Sequence, residues 1–435
     1  MASTISCLEF KWTKSVVSLE AEWKECFDDN HLMLSYNLQR VLEESNQPNV
    51  DLHYLTAYDE RGILAVVPCF GYRFEMETVA LPVLQRLVQG IRKVIPGFLR
   101  SRIFVIGSVM STCNHLLGLK DMNDESRWNN GQLQAIFDEL RKKAAELHIG
   151  LMTVKELPEE MTQFLKSHLN KQFFFFDSLP TTYFDVIPRE RGGYVQAIRT
   201  RYRNKLKHRK AVAAAAGLHW EIVNSCKGLE KDLYALYSQV MDNTSVSFER
   251  MNEAYFFKVE EILRCPDSYY VLGYQDLPPA EGAPAGTPPP RKLISGEFVM
   301  CKNGTMYSLF VGFDYKIKAS SDMYFNTYYE AIDEAERRNL AKIWFGQTCY
   351  EVKAEIGCKT SKLYIGVSHR NPILHRLLYL IRNQFMAKAN FPDRDVFATP
   401  PPPKKNGQKK TDKGGEKPEK AGNKSVQDSE SVRVG

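Results

Sequence analysis

The stretch SDMYFNTYYEAIDEAERRNLAKIWFGQ, residues 321–347, decides the fold class. It predicts a helix whose N-terminal cap is Ser321 or Asp322. Arg337 and Arg338 stand near the other end, where positive charge suits the helix dipole. The apolar run LAKIWFGQ follows after a short turn and predicts a strand. A helix that leads directly into a strand is typical of a mixed α/β (α+β) architecture.

The same order of elements occurs earlier in the chain, in IFDELRKKAAELHIGLMTVKEL (136–157). An apolar or aromatic run follows each copy, KQFFFFDSLPTTYFDVI (171–187) and KLYIGVS (362–368), and we expect each run to pair back onto the strand before it. These correspondences predict an internal structural duplication with divergent sequence. Two unrelated α/β units are the alternative.

Composition divides the chain into two domains and a tail. With 435 residues and 43% hydrophobic residues, the chain is long enough for two domains. We place the N-terminal domain at 1–182 and the C-terminal domain at 183–390, each a twisted mixed sheet flanked by helices. The Pro-rich segment 276–292 lies between two strand-like runs and predicts a long hairpin loop inside the second domain. Residues 391–435 predict a disordered basic tail because they are rich in Pro, Lys and Gly.

The charge and the cysteines restrict the class of protein. The formal net charge of +6 lies mostly in the tail, since residues 401–435 hold nine Lys or Arg against five Asp or Glu. Bulk charge therefore indicates little about the partners of the folded part. The N-terminus does not read as a signal peptide, and no run reaches the ~18 apolar residues of a membrane-spanning helix. The nine cysteines are scattered without a C-x-x-C pair, which favours reduced thiols in the cytoplasm and no bound metal.

Three stretches resemble the FemAB-like branch of the GNAT acyltransferases, which has two GNAT domains in tandem. The segment VQAIRTRYRNKLKHRKAVAAAAGLHWEIV (195–223) is similar to the basic helix and following strand of that branch. The segment YSLFVGFDYKIKASSDMYFNTYYEAIDEAERRNLAKIWFGQ (307–347) is similar to its strand, helix, strand pattern, and GQTCYEVKAEIGC (346–358) to its Gly, Tyr and Lys ending. The resemblance covers roughly residues 25–385 and implies two tandem GNAT-like domains that transfer an acyl group.

The resemblance implies that the loop DYKIKASSD (314–322) is where the pyrophosphate of acyl-CoA would bind. It lacks the basic-x-x-Gly-x-Gly/Ala fingerprint of ordinary GNAT enzymes, which puts the identity of the cofactor in doubt. Small residues at a helix N-terminus let a phosphate approach unpaired N–H groups, and nearby lysines add charge. An ordinary capped connection between strand and helix is the alternative. The predicted contacts of acyl-CoA, taken as a co-substrate, are Gly312, Lys316, Lys318, Ser320, Ser321, Asp322 and Gly346.

Residues 199–210, RTRYRNKLKHRK, contain seven basic residues and no acidic residue. Because no local acid can pair with them, they favour an external anion, such as the phosphates of a carrier or of tRNA. A solvated charged helix is the alternative. Sequence-specific binding of DNA is not expected, since no helix-turn-helix or zinc pattern accompanies the stretch. The predicted anion-binding residues are Arg199, Arg201, Arg203 and Lys205.

The strand end IWFGQTCYEVK (343–353) carries the candidate catalytic residues. A glycine at the close of a strand allows a ligand to approach the backbone. Gln347 can hydrogen-bond an acyl carbonyl, and Tyr350 and Lys353 fall on one side of the following turn. Transfer to an amine needs a base and donors for the carbonyl oxygen, so we predict catalytic roles for these three residues. The alternative is that Tyr350 packs and Lys353 is solvated.

Together the motifs predict an acyltransferase that moves an acyl or aminoacyl group from a carrier such as acyl-CoA to an amine. The amine would attack directly, so catalysis would depend on positioning and on stabilising the oxyanion. One alternative is a tRNA-dependent aminoacyl ligase of the FemAB type. The other is a non-enzymatic module that binds an anion or nucleic acid on the same fold. The donor, the acceptor and the oligomeric state stay open.

Overall fold

Fourteen strands of the described chain form two sheets of seven. The computed structural model describes residues 8–398 except 28–31, 76–99, 111–117, 129–130, 170–171, 245–249, 265–266, 280, 282–283, 285, 287, 318–319 and 385–389. The strands are β1 Glu9–Thr13, β2 Val50–Asp59, β3 Gly62–Glu75, β4 Arg100–Ile106, β5 Leu151–Leu157, β6 Phe174–Asp177, β7 Thr181–Asp185, β8 Leu218–Val223, β9 Tyr269–Asp276, β10 Arg291–Lys302, β11 Thr305–Phe313, β12 Lys342–Gly346, β13 Lys359–Ser361 and β14 Tyr364–His369.

Helices flank both sheets. The α-helices of the described residues are α1 Glu20–Cys26, α2 Tyr36–Glu44, α3 Glu125–Trp128, α4 Gln132–Glu146, α5 Glu159–His168, α6 Gly193–Ala197, α7 Thr200–Ala215, α8 Glu230–Asp242, α9 Glu253–Lys258, α10 Ser320–Arg337, α11 Tyr350–Glu355 and α12 Pro372–Ile381. The predicted mixed α/β class, with two mixed sheets flanked by helices, is confirmed.

The two sheets have equivalent strand orders. The first runs β1-β2-β3-β4-β5-β14-β6, and the second, read from the edge strand β8, runs β8-β9-β10-β11-β12-β7-β13. In each sheet the fourth and fifth strands are parallel, β4 with β5 and β11 with β12. The other pairs among the described strands are antiparallel. This equivalence supports the internal duplication that the sequence predicts.

Each half of the chain gives one strand to the other sheet. β14 lies between β5 and β6, and β7 lies between β12 and β13. The prediction that each aromatic run pairs back within its own half is therefore wrong. The chain changes sheet at two short connections, because 178–180 leads from β6 into the second sheet and 362–363 leads from β13 into the first. The two connections meet where Ser178 N donates to Leu363 O at 2.8 Å.

The domain boundary at 182/183 stays a prediction, but the exchanged strands complicate it. β7 runs across that position, and β14 joins the first sheet although it was placed in the domain 183–390. By their contacts, Met1–Ala398 form one compact unit. The predicted hairpin around the Pro-rich segment is present, with Asp276 of β9 paired to Arg291 of β10.

The structure differs from the predicted tail at residues 391–398. Val396 is buried, and its carbonyl accepts a hydrogen bond from Arg199 N at 2.9 Å. Ala398 N donates to Ala197 O at 2.9 Å, so these residues pack beside α6 and α7. They pack because Val396 and Phe397 are apolar and find apolar neighbours there. Residues 399–435 lie outside the described part of the chain.

The core has separate apolar layers on the two faces of the second sheet. One layer packs α10 against the sheet through Ala331, Ile332 and Ala335, all at most 1% exposed. The other layer joins Phe298 and Phe310 of the second sheet to residues of the first sheet, such as Phe70. The apolar side chains of α10 therefore recur at helical spacing and face the sheet.

Candidate active site

The second sheet opens between its two parallel strands. β11 and β12 pair only through Thr305–Tyr307 and Lys342–Trp344. Beyond that point β11 continues beside β10 to Phe313, whereas β12 ends beside β7 at Gly346. The strands therefore diverge, and the far part of β11 has an edge whose backbone groups have no strand partner in the described chain. We call this opening the β11/β12 gap.

A buried carboxyl group, that of Glu297 on β10, lies on the side of the sheet that α10 and α11 cover. The residue is 0% exposed, and among the described residues neither carboxylate oxygen has a well-formed hydrogen bond. Burial raises its pKa to about 7, while the nearby Ser308 hydroxyl and the Lys353 ammonium hold it down. A carboxyl group with a pKa near 7 can accept and return a proton at neutral pH, as a general acid or base must.

Tyrosines of α10 form an aromatic wall next to this carboxyl group. The ring of Tyr328 lies 4.6 Å from that of Phe345, and the Tyr324 hydroxyl lies 3.2 Å from the Tyr315 hydroxyl. Burial raises the pKa of Tyr328 well above its usual value, and the negative charge of Glu297 adds to this effect. Tyr328 therefore keeps its proton and can act only as a neutral hydrogen-bonding group at neutral pH.

Lys353 holds the end of β12. Its buried Nζ donates to the carbonyl oxygens of Phe345, Gly346 and Gln347 at 2.7, 3.2 and 2.7 Å. An ammonium has three N–H donors, so these bonds use all of them. All three bonds go to backbone carbonyls, so the side chain is engaged in holding the strand end. The expected alternative of a solvated Lys353 does not fit its 2% exposure.

Gln347 and Tyr350 hold the crossing point of the two sheets. Gln347 Nε2 donates to Leu179 O at 2.8 Å, and the Tyr350 hydroxyl donates to Pro180 O at 2.7 Å. Burial raises the pKa of Tyr350 to about 12. The structure thus brings the three predicted catalytic residues together at the end of β12, where each hydrogen-bonds a backbone carbonyl.

The predicted acyl-CoA contacts divide into packing residues and residues at the start of α10. A Cβ on Gly312 would lie 2.6 Å from Tyr237 N, so this glycine lets α8 pack on the sheet. The carbonyl oxygen of Gly346 accepts a hydrogen bond from the Thr182 hydroxyl at 2.6 Å. The residue has a left-handed φ of +69°, so this glycine shapes the turn after β12.

The remaining predicted contacts lie around the N-terminus of α10. Lys316 is exposed, and its N–H donates to the Asp314 carboxylate at 2.9 Å. Ser320 and Ser321 open the helix, the Asp322 carboxylate lies 3.3 Å from Arg209 Nε, and Lys318 lies outside the described residues. The loop therefore leads into a helix N-terminus, as predicted, and its binding of a phosphate stays a prediction.

The basic stretch is paired with carbonyl oxygens just before it and with a carboxylate far along the chain. Arg203 donates to the carbonyl oxygens of Val195, Gln196 and Ile198 at 2.8–3.0 Å. Lys205 Nζ lies 3.0 Å from the Glu355 carboxylate.

Arg199 and Arg201 contact the segment 391–398. Arg199 donates to Phe397 O and pairs with the Asp395 carboxylate, and Arg201 donates to Asp395 O at 3.1 Å. Local counting of acids thus missed the partners, and external anion binding by these four residues stays a prediction.

Sequence reasoning did not place Glu297, Tyr328 or Arg209 among the predicted site residues. Glu297 is the only acid in the apolar run KLISGEFVM (292–300), and that isolation was an available signal. Arg209 lies 3.3 Å from the centre of the Phe325 ring and 2.8 Å from the Glu355 carboxylate. Its role in fixing α7 to α10 and α11 has no local sequence signal.

Within the described ranges, no cluster of three or more His, Cys, Asp or Glu side chains is arranged to hold a metal ion. None of the helices described there has both the length and the apolar character that crossing a membrane requires.

Solved structures similar to the chain include three with very different sequences. FemX matches with a TM-score of 0.46 and 12% identity over 79% of this chain and 98% of its own. L-PGS from Bacillus licheniformis matches with a TM-score of 0.42 and 10% identity over 80% of this chain and 95% of its own. A tandem GNAT protein from the clavulanic acid biosynthesis pathway matches with a TM-score of 0.47 and 10% identity over 84% of this chain and 99% of its own. No protein-family model and no curated protein matches the chain. At these sequence identities the likeness concerns the fold alone.

Proposed function

We propose that the protein transfers an acyl or aminoacyl group from a carrier thioester or ester to an amine in the β11/β12 gap, with Glu297 as the general base. The observation that carries this proposal is the fully buried Glu297 carboxyl group, with a pKa of about 7 and no well-formed hydrogen bond among the described residues. Burying such a group lowers the stability of the folded protein, and groups perturbed in this way cluster at functional sites.

The reaction follows from the protonation states in the gap. An amine is protonated at neutral pH, and the ionised Glu297 carboxylate removes its proton so that the nitrogen can attack the acyl carbonyl carbon. The tetrahedral intermediate places negative charge on the carbonyl oxygen, which the open backbone edge of β11 can stabilise with N–H donors. Collapse breaks the bond between the carbonyl carbon and the carrier. The thiolate or alkoxide leaving group takes the proton that Glu297 holds, and the regenerated carboxylate takes the second proton from the new amide nitrogen and passes it to solvent. We assign Gln347, Tyr350 and Lys353 to positioning, because they fix the end of β12.

The carrier would bind along the loop from Asp314 to the start of α10. The N-terminus of an 18-residue helix attracts phosphate through its unpaired N–H groups, and the exposed Lys316 adds positive charge. Acyl-CoA fits this arrangement as the donor.

The test compares two kinds of donor. The protein is incubated with acetyl-CoA or palmitoyl-CoA and a panel of primary amines, and release of the CoA thiol is measured. A parallel reaction supplies aminoacyl-tRNA charged with labelled amino acids, with and without ribonuclease. Transfer from a CoA donor supports acyl-CoA as the carrier, whereas ribonuclease-sensitive transfer identifies the tRNA-dependent alternative.

The Glu297→Gln variant decides the role of the carboxyl group. We expect its rate to fall by about 10²–10⁴-fold and the rise of the wild-type rate with pH, centred near 7, to disappear. Glu253→Gln is the matched control, because Glu253 is exposed, and it should keep the wild-type rate. Absence of transfer from both donor classes, or a Glu297→Gln variant with the wild-type rate, would overturn the proposal.

A further inference from the structure

Helix α12 presents an apolar stripe to solvent. Ile373, Leu374, Leu377 and Leu380 are 77%, 44%, 51% and 64% exposed. Their spacing of three and four residues places them along one side of the helix. Isolated exposed apolar residues are common, but a contiguous stripe of four marks an interaction surface.

The opposite side of α12 fixes the orientation of this stripe. The rings of His375 and Tyr379 lie 5.2 and 5.7 Å from that of Phe174 on β6, and His375 Nδ1 accepts a hydrogen bond from His369 N at 3.2 Å. Asn371 caps the helix by accepting from Ile373 N and Leu374 N. The helix is therefore held against the first sheet with its leucines directed outward.

The sequence segment that carries the stripe is basic, although Lys359 at its start pairs with the Asp185 carboxylate. The segment 356–392 contains six Lys or Arg and no Asp or Glu. Arg370 precedes the helix, Arg376 lies beside the stripe, and Arg382 follows the helix with its guanidinium 4.0 Å from the Tyr379 ring centre. A second copy of the same surface would bring like charges together, whereas an anionic surface would neutralise them.

We propose that α12 binds the surface of an anionic phospholipid bilayer, with its leucines at the boundary of the acyl chains and its arginines at the headgroups. An apolar face beside basic residues is the arrangement of helices that lie in a membrane interface. Each Lys or Arg near an anionic bilayer strengthens the attraction, and each apolar side chain taken from water adds to it. The ten residues of α12 are half the length of a spanning helix, so it would lie parallel to the bilayer. This inference does not depend on the proposed reaction.

The test measures flotation of the full-length protein with vesicles of phosphatidylcholine alone and with 30% phosphatidylserine. We expect binding to the anionic vesicles only. Leu377→Glu should weaken that binding by about tenfold or more, because it removes apolar area and adds a charge that the lipids repel. The double variant Arg370→Gln/Arg376→Gln should weaken it by about tenfold. Val17→Glu is the matched control, since Val17 is 53% exposed on another element, and it should bind as the wild type does.

Two outcomes would overturn the proposal. In the first, the wild type fails to float with anionic vesicles, or floats equally well after Leu377→Glu, as it would if only the basic residues after 400 were responsible. In the second, the wild type is a dimer by sedimentation and Leu377→Glu is a monomer, which would identify a second copy as the occupant of α12. Thermal unfolding of each variant verifies that the exposed substitutions leave the fold intact.

Discussion

The two sheets differ in the region beyond their parallel strand pair, which is β4/β5 in the first sheet and β11/β12 in the second. We call these two regions the first and the second opening. In the first sheet, Ser108 is buried just beyond the β4/β5 pair and accepts a hydrogen bond from Gln39 Nε2 at 3.1 Å. Lys155 Nζ donates to Val109 O at 3.0 Å in the same region. In the second sheet, the buried carboxyl group of Glu297 has no well-formed partner among the described residues. The strand equivalent to β10 in the first sheet, β3, carries the apolar, buried run Ile63–Val67.

We propose that this difference separates a structural half from a reactive half. Polar groups that hydrogen-bond each other stabilise the first opening and leave little for a ligand to bind. A buried carboxyl group without such bonds destabilises the second opening, and this cost is typical of functional sites. The duplication therefore supplied two equivalent frameworks, and we assign chemistry to the second.

The largest expected effect concerns two lysines, Lys353, which hydrogen-bonds the end of β12, and Lys155, which lies near the end of β5. Lys353→Met should destabilise the protein by about 3–5 kcal/mol, because it removes a buried charge and three donors to the end of β12. Lys155→Met should cost about 1 kcal/mol, because Lys155 is only half-buried. Urea unfolding at pH 7 measures both losses. Equal losses would contradict the special role of Lys353.

The second prediction concerns the stability of the Glu297 site as pH changes. The pKa of Glu297 rises from 4.5 to about 7 on folding, so the folded state favours the protonated form. Wild-type stability should therefore fall as pH rises from about 4.5 to 7.5, by about 3 kcal/mol relative to Glu297→Gln. Urea unfolding of both proteins across this range gives the difference. Parallel stability curves would show that the carboxyl group is not perturbed by folding.

The third prediction contrasts glycines of the two sheets. Gly312→Ala should destabilise the protein by about 2 kcal/mol, since its Cβ would lie 2.6 Å from Tyr237 N and α8 would have to shift. Gly71→Ala should cost less than about 0.5 kcal/mol, because the nearest atom to its Cβ is 3.4 Å away. Thermal unfolding compares them. If Gly312→Ala is as stable as the wild type but loses affinity for acyl-CoA, Gly312 is a contact of the cofactor after all.

The smallest expected effects come from a serine in each opening. Ser108→Ala should cost about 1 kcal/mol by leaving the Gln39 amide short of a partner, with no change in the transfer rate. Ser308→Ala should instead raise the pKa of Glu297, because its hydroxyl lowers that pKa in the wild type. The midpoint of the rate against pH should then move to higher pH. A change in rate for Ser108→Ala with an unchanged profile for Ser308→Ala would reverse the assignment of the two openings.

Local sequence patterns predicted the unit that decides the fold. The helix expected from Ser321 or Asp322 to Arg337 or Arg338 is Ser320–Arg337, and the strand after it is Lys342–Gly346. The hairpin around 276–292 was also predictable from its strand-like flanks. These elements follow from periods of 3.6 and 2 residues and from turn residues, which are all local properties.

The candidate site was only partly accessible to this reasoning. The sequence located the end of β12 and the start of α10, and both border the β11/β12 gap. Glu297 was missed because it lies about 50 residues before the end of β12 and only the sheet brings it close to Lys353. Gly312 stays a predicted cofactor contact, and the structure adds that it faces α8, because a glycine that faces a ligand and one that faces a helix look alike in a sequence.

The sequence by itself determined the order of helices and strands, the repeat of one unit, and which faces are apolar. Only the tertiary structure decided which sheet β7 and β14 join and which charges are paired. The basic residues of 199–210 show the reason, since Lys205 and Arg209 find their acid, Glu355, about 150 positions away. Periodicity depends on neighbours in the chain, whereas hydrogen bonding and desolvation depend on neighbours in space.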